Sequence, residues 1–254
     1  MDKLKMTAKV IRQDEIAYQI YSLVLSAKEI ADIAKPGQFV NLYSADKSRL
    51  LPRPISICEI DKTAGTLRLV YRVVGDGTKE FSTLTSDHTI EVMGPLGNGF
   101  ALEGKKAIII GGGIGIPPML ELSKQLDCEK SIVLGFRDEE FLSEEFAPYG
   151  TVYKSSDAGN IGVKGTVMDA IKEYGITGDV IYACGPLPML RAISDYALAN
   201  GIVAQISMEE KMACGIGACL ACVCKSKEVD EHSKVNNKRV CKEGPVFYAG
   251  EVEF

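Results

Sequence analysis

The chain has 254 residues, 46% of them hydrophobic and 25% charged; a disordered chain would carry fewer apolar residues, and a fibrous one would show a Gly or Pro period. A net charge of -5 and a pI near 5.3 exclude a surface built for nucleic acid or an anionic membrane, which would leave a basic excess. Apolar runs such as 107–119 are broken by Gly and Pro and fall short of the ~20 residues of a membrane span, and the first residues lack an apolar signal core, so a cytosolic location is expected.

Residues 1–100 read as strands. Thr7 to Arg12, Ala17 to Ser26, Gln38 to Tyr43, Ile55 to Ile60, Thr66 to Val74 and Thr89 to Met93 are β-branched or aromatic runs set between turn residues. Six short strands without long helical patterns predict a small antiparallel barrel. One or two helical turns are expected over Thr78 to Leu84, opening after Gly75-Asp76-Gly77. From Lys106 apolar strands alternate with helical segments, the pattern of βαβ units on a parallel sheet. Strands are expected at Ala107–Ile110, Ser131–Gly135, Thr151–Tyr153, Val180–Ala183 and Val203–Ser207, and helices at Pro117–Leu126, Glu139–Phe146, Thr166–Glu173 and Pro188–Asn200. The turn-rich stretch Gly94 to Gly104 marks the junction. Residues 211–254 are too few and too rich in Cys to build an apolar core alone. The expected fold is thus β plus α/β in several domains: a barrel over 1–100, a nucleotide-binding sheet over 101–210 and a small segment over 211–254.

Of eight cysteines, Cys58, Cys128 and Cys184 are scattered, while Cys214, Cys219, Cys222, Cys224 and Cys241 crowd into the last 41 residues. A reducing cytosol leaves disulfides no role, so the crowding needs another reason. Cys214-x4-Cys219-x2-Cys222, with Cys241 following 19 residues later, has the plant-type spacing of a [2Fe-2S] cluster. The small residues of Cys214-Gly215-Ile216-Gly217-Ala218-Cys219 let backbone N–H groups approach the sulfurs. A zinc site is the alternative, although zinc usually pairs two knuckles across a longer gap. Cys224 is expected to be a buried free thiol rather than a ligand.

Arg53-Pro54-Ile55-Ser56 lies at the mouth of a barrel strand, where a guanidinium can grip a flavin pyrophosphate and a Ser hydroxyl can reach the flavin edge that receives hydride. Most Arg-Pro-x-Ser matches are merely the start of a strand. Two companions strengthen this one: Val70-Tyr71-Arg72 offers an aromatic face and a cation, and Gly75-Asp76-Gly77-Thr78 opens a helix whose N-terminus can hold a phosphate. For Tyr71 the plainer reading is a barrel-wall aromatic. Gly111-Gly112-Gly113-Ile114-Gly115-Ile116-Pro117-Pro118 follows a strand and opens a helix, so Gly112, Gly113 and Gly115 let backbone approach a pyrophosphate, or simply make a tight turn. Cys184-Gly185-Pro186 marks a second crevice loop at the carboxyl end of the sheet, with Cys184 near a nicotinamide or merely packed. With only His88 and His232, both expected at the surface, a His-centred hydrolase or multi-His metal enzyme is disfavoured.

The order of these motifs resembles the ferredoxin reductase superfamily over residues 1 to about 210. The tail from Ser207 through Cys224, with Arg239-Val240-Cys241-Lys242-Glu243-Gly244-Pro245, is similar to one branch, the electron-transfer subunits of type B dihydroorotate dehydrogenase. The resemblance implies FAD, a [2Fe-2S] cluster, NAD, and a heterotetramer with two FMN-containing catalytic subunits that oxidise dihydroorotate in pyrimidine synthesis. Arg53, Pro54, Ile55, Ser56, Val70, Tyr71, Arg72, Gly77 and Thr78 then serve FAD, with Ser56 at the reacting edge. Gly112, Gly113, Gly115, Cys184, Gly185 and Pro186 serve NAD, and Cys214, Cys219, Cys222 and Cys241 ligate the cluster. The chemistry points the same way, because a cluster moves single electrons, a nicotinamide takes a hydride, and a flavin converts between them. No acid-base residue stands near any motif, so substrate oxidation belongs to a partner. The carboxylates of Asp138 and Glu139, about 23 residues after Gly115, suit a ribose 2'-hydroxyl and hence NAD, while Arg137 beside them argues for NADP.

Overall fold

The computed structural model describes residues 3–229 and 234–254; His232 lies outside them, and His88 is exposed. Six strands close the expected barrel in the order β1-β2-β5-β4-β3-β6: β1 (Leu4–Ala17), β2 (Ile20–Ser26), β3 (Phe39–Tyr43), β4 (Arg53–Asp61), β5 (Thr66–Arg72) and β6 (Thr89–Leu96). Their inward residues, among them Val10, Leu23, Leu25, Leu42, Ile57, Leu67, Leu69 and Val92, are fully buried in one cluster. The strand expected over Ala17–Ser26 begins at Ile20 as β2, and its first residues form a hairpin corner instead, because Ala17 ends β1 and pairs with Ile20. Gln19 takes the left-handed conformation there (φ 57°), with its amide donating to Glu15 at 2.9 Å, so no Gly or Asn advertises the turn. Helix α1 (Lys28–Ile33) was not signalled either: it is six residues long, has no side-chain cap, and buries only Ile30 and Ala31 against the barrel. The expected turn of helix is α2 (Asp76–Phe81).

The second sheet has seven strands in the order β10-β9-β8-β7-β11-β12-β15. These are β7 (Lys106–Gly112), β8 (Glu129–Phe136), β9 (Thr151–Ser156), β10 (Val163–Lys164), β11 (Val180–Cys184), β12 (Val203–Ser207) and β15 (Val246–Tyr248). All pairings are parallel except β12 with β15. Helices α3 (Pro117–Gln125), α5 (Val167–Glu173) and α6 (Leu187–Asn200) follow the expected segments. The helix expected over Glu139–Phe146 shrinks to α4 (Ser143–Phe146), since Leu142 adopts φ 62° and Phe141 turns inward before it. A small ribbon, β13 (Val223–Lys225) with β14 (Asn237–Arg239), completes the tail. The tail draws its core from the sheet, as its composition requires: Cys222, Cys224, Val240, Cys241, Phe247 and Val252 share one buried cluster with Ile110, Ile181 and Ile206. Among the described residues, no helix is long and apolar enough to cross a membrane.

Two sets of contacts fix the barrel against the sheet. At the junction, the Tyr182 hydroxyl accepts from Glu103 N at 2.9 Å and lies 3.0 Å from Ala101 O, while Gln205 Nε2 donates to Ala101 O and to the Glu103 carboxylate. Elsewhere, Arg68 of β5 pairs with Glu59 and with Glu145 of α4, and Lys124 of α3 reaches Glu59. The buried Glu121 carboxylate accepts from Ile60 N at 2.8 Å. A buried acceptor so satisfied, with its cationic neighbour Lys124 at 3.5 Å, holds two surfaces in register.

Candidate functional site

A cleft of about 950 Å³ opens where the barrel, the carboxyl ends of the sheet and the start of the tail meet. The barrel lines it with Arg53, Pro54, Ile55 and Ser56 of β4, Val70, Tyr71 and Arg72 of β5, and Thr78. The sheet adds Gly112, Gly115, Cys184, Gly185 and Pro186 from the loops after β7 and β11. The two families of motifs, far apart in sequence, thus face one cavity large enough for a dinucleotide and the nicotinamide edge of a second. Gly77 and Gly113 are not among the lining residues.

Gly77 works from behind the cleft. A Cβ on it would lie 2.6 Å from Arg53 Cζ and 2.7 Å from Nη2, so its missing side chain is the seat of the Arg53 guanidinium. Arg53 also donates to Leu51 O, which holds the guanidinium from a second side. Thr78 caps its own helix: its Oγ1 accepts from Val74 N at 2.9 Å and Gly75 N at 3.2 Å. Tyr71 is 2% exposed; its ring stacks on Tyr21 and meets Phe81 edge-on, and its hydroxyl donates to Gln13 at 3.0 Å. Most of that ring is therefore barrel core, with one edge on the cleft. Burial, with the neighbouring Tyr21 adding to it, keeps its phenol protonated.

The sheet loops meet because their glycines allow it. A Cβ on Gly115 would stand 2.5 Å from the Cys184 carbonyl carbon and 2.6 Å from Gly185 N, a clash with backbone that no rotamer relieves. Gly185 likewise rests on Gly112 with its own φ at 158°. Gly113, with φ 53° and open space where a Cβ would project, starts the 3-10 turn Gly113–Gly115 that leads into α3. Burial pushes the Cys184 thiol up to about 12, against an opposing hydrogen bond with Ser207, so it is a neutral neighbour of any ligand rather than a nucleophile. Glu139 is spoken for: its carboxylate accepts from Tyr18 N at 3.1 Å.

Several cleft residues carried no sequence signal. Phe39, Leu50, Leu51, Val74 and Leu187 supply an apolar wall, and Ser207 through Met212 form the floor that leads toward Cys214. Ser207 through Met212 belong to the tail that carries the family resemblance, and nothing in their types pointed to the cleft. Arg49, also lining the cleft, is paired with Glu80.

The four cysteines stand as two couples. Cys214 N donates to Cys219 Sγ at 3.4 Å, and Cys241 N donates to Cys222 Sγ at 3.4 Å. Ile216 N and Ala218 N reach Cys214 Sγ at 3.4 and 3.3 Å. Among the described residues, no three His, Cys, Asp or Glu side chains converge to hold one metal ion. Partial burial pushes the Cys214 thiol up, but the amides of Ile216 and Ala218 and the Cys219 group outweigh it and bring it down to about 6, which favours the thiolate an iron needs. Cys241 is raised to about 12 by burial and by Cys222 beside it. Cys224 points elsewhere: it is 5% exposed, with its Sγ donating to Lys238 O at 3.4 Å. The residues fit both groups, since a glycine-seated guanidinium faces the large cleft and backbone N–H groups aim at paired sulfurs.

Residues 209–253 match the iron-sulfur cluster binding domain of dihydroorotate dehydrogenase B. Over 98% of its length the chain is 46% identical to the dihydroorotate dehydrogenase B (NAD+) electron transfer subunit of Listeria welshimeri, covering 99% of that protein. It is 44% identical to the corresponding subunit of Bacillus cereus, with 98% of each covered. Among solved structures, an NADH-dependent reduced ferredoxin-NADP oxidoreductase of flavin-based electron bifurcation aligns with TM-score 0.87 and 27% identity over 97% of this chain and 89% of that one. A Neisseria gonorrhoeae ferredoxin NADP+ reductase with bound FAD and NADP shares the fold at TM-score 0.64 and 18% identity, covering 78% of this chain and 92% of that one. With a barrel, a nucleotide sheet and a cysteine tail arranged around one cleft, the chain belongs to the family of dihydroorotate dehydrogenase B (NAD+) electron transfer subunits.

Proposed function

We propose that this chain carries electrons, released when an FMN-containing partner oxidises dihydroorotate, through a [2Fe-2S] cluster and FAD to NAD in pyrimidine synthesis. The observation that carries this reading is convergence: the Arg53–Ser56 strand, the glycine loops of the sheet and the segment running into Cys214 all border one cleft. When bound, FAD exchanges a hydride with nicotinamide and single electrons with the cluster. The residues' own work is to bind and orient. Arg53 holds the FAD pyrophosphate from its seat on Gly77, and Ser56 offers its hydroxyl at the reacting edge. Val70, Tyr71 and Arg72 wall the isoalloxazine side, with Pro54 and Ile55 shaping the strand and Thr78 securing the helix that seats Arg53. Gly112, Gly113 and Gly115 admit the NAD pyrophosphate, and Cys184, Gly185 and Pro186 border the nicotinamide. Cys214, Cys219, Cys222 and Cys241 would ligate the irons of the cluster.

The division of labour follows residues 1–100 for FAD, 101–210 for NAD and 211–254 for the cluster, with two such chains and two catalytic subunits in a cytoplasmic heterotetramer. The preference for NAD rests on the family, because Arg137, Asp138 and Glu139 are not among the residues that line the cleft. The test is direct. The isolated chain is expected to pass electrons from NADH to an artificial acceptor and to show no dihydroorotate oxidation until the FMN subunit is added. Preference for NADPH, or dihydroorotate turnover by this chain alone, would refute the reading.

A further inference from the structure

The loop that carries Cys214 and Cys219 is held from outside by three side chains with no place in the ligand set. Asn41 Nδ2 donates to Cys214 O at 3.2 Å, Lys3 Nζ to Ile216 O at 3.1 Å, and Arg239 Nη1 to Gly217 O at 2.8 Å. A trans peptide is planar, so its carbonyl and the next residue's N–H point in opposite directions. A carbonyl drawn outward therefore turns the following amide inward. The contacts obey this rule where both ends are visible. Gly217 O is held by Arg239, and the amide that follows it, Ala218 N, donates to Cys214 Sγ at 3.3 Å.

Asn41 is the most telling of the three. It is fully buried in the barrel strand β3, directly opposite Pro54 of the flavin strand, yet its Oδ1 has no partner among the described residues. An unpaired buried acceptor is destabilising, a cost that an apolar residue of the same shape would avoid. Gly215 is fitted to it: with φ 68°, it packs so closely that any Cβ would collide with the Asn41 amide. The amide is thus kept at a cost to stability, and its one formed bond goes to the cluster loop.

We propose that Asn41, Arg239 and Lys3 are positioning residues that turn the loop's amides toward the cluster sulfurs and thereby set the reduction potential of the cluster, with Asn41 registering the loop against the flavin strand. This rests on the cysteine assignment above. Hydrogen bonds to sulfur stabilise the more negative, reduced cluster, so losing them makes reduction harder.

The experiment is a redox titration of the full chain, purified with its FAD and cluster and followed by the paramagnetic signal of the reduced cluster, with iron, sulfide and FAD measured alongside. Asn41→Leu removes the donor and the orphaned oxygen together. It is expected to keep iron and FAD while its reduction equilibrium falls roughly tenfold, which is 59 mV for one electron. Arg239→Gln should shift in the same direction, and Arg239→Lys, which keeps a donor for Gly217 O, should recover most of it. Iron-loaded Asn41→Leu and Arg239→Gln chains with wild-type potentials would overturn the proposal. If Asn41→Leu retains no iron, Arg239→Gln and Lys3→Met decide alone, and unchanged potentials there overturn it equally. A wild-type chain that binds no iron would instead refute the cofactor reading beneath it.

Discussion

Replacing Gly77 with Ala separates FAD binding from folding without touching any residue that contacts the ligand. The added methyl would sit 2.6 Å from Arg53 Cζ and 2.7 Å from Nη2, about an ångström inside ordinary contact. The obstructed group is the far end of a flexible side chain, so the strain relaxes by swinging the guanidinium off its seat. Gly77 lies in the first turn of α2 with φ outside the left-handed range, where Ala is a better helix former by up to ~1 kcal/mol. Stability is therefore expected to hold or rise slightly. The cost falls on the ligand: a charge-assisted hydrogen bond contributes about 1.5–3 kcal/mol, and each 1.4 kcal/mol is tenfold in affinity, so the FAD Kd should rise roughly 10- to 150-fold. Flavin fluorescence on titrating the apoprotein measures that Kd, and thermal unfolding of the apoprotein supplies the control. A Gly77→Ala protein with an unchanged FAD Kd would show that Arg53 does not hold the pyrophosphate from this seat. An equal loss of apoprotein stability would show that the glycine serves the fold.

Other substitutions test the remaining assignments. Ser in place of Cys214, Cys219, Cys222 or Cys241 should strip or badly weaken the cluster, while Cys224→Ser should keep its iron; the visible spectrum with iron analysis reads both. Ser56→Ala should retain FAD and slow flavin reduction by NADH in stopped flow, an unchanged rate counting against its role at the reacting edge. Gly115→Ala forces apart the loops after β7 and β11, and should lower both the melting temperature and the rate with NADH more than Gly113→Ala, whose added carbon meets open space despite its positive φ. Glu80 is held below its ordinary value: burial opposes this, but hydrogen bonds from Ser44, Ala45 N and Arg49 prevail. A depressed carboxylate stabilises the fold above its unfolded pKa and ceases to as pH falls through the folded one. Glu80→Gln should accordingly cost about 1–2 kcal/mol at pH 7 by urea unfolding and progressively less below pH 4.

The runs that the structure brings together share one property: each is a short stretch of neighbouring residues whose types narrow its use. Arg53–Ser56, the glycines before α3 and the Cys-x4-Cys-x2-Cys loop are of this kind, and alternation of β and α signals marked five of the seven strands of the second sheet, the short β10 and β15 excepted. What escaped is non-local. The Tyr18-Gln19 corner lacks turn residues because Glu15 and Glu139 satisfy its amides, one of them from 121 positions away. The seat that Gly77 provides for Arg53 pairs residues 24 apart on different elements, and Gly77 had looked like part of a phosphate-binding helix start. The apolar wall at Leu50, Leu51 and Val74 reads as ordinary loop until the cleft is closed around it. Strand β15 was hidden by its brevity, three residues in a Cys-rich tail.

That short strand has a consequence for building with this protein. Strand β12 would otherwise end the sheet with a row of free backbone donors and acceptors, and Gln205, Ile206 and Ser207 instead pair with Tyr248, Phe247 and Val246. An uncovered edge invites other chains to pair with it. Trimming the polypeptide after residue 210 to obtain a minimal flavin reductase would remove the guard together with the metal-binding loop, and the product should clump unless β12 is given a charged or proline-bearing replacement. Grafting residues 211–254 onto another reductase would demand the converse, an unguarded parallel edge on the recipient.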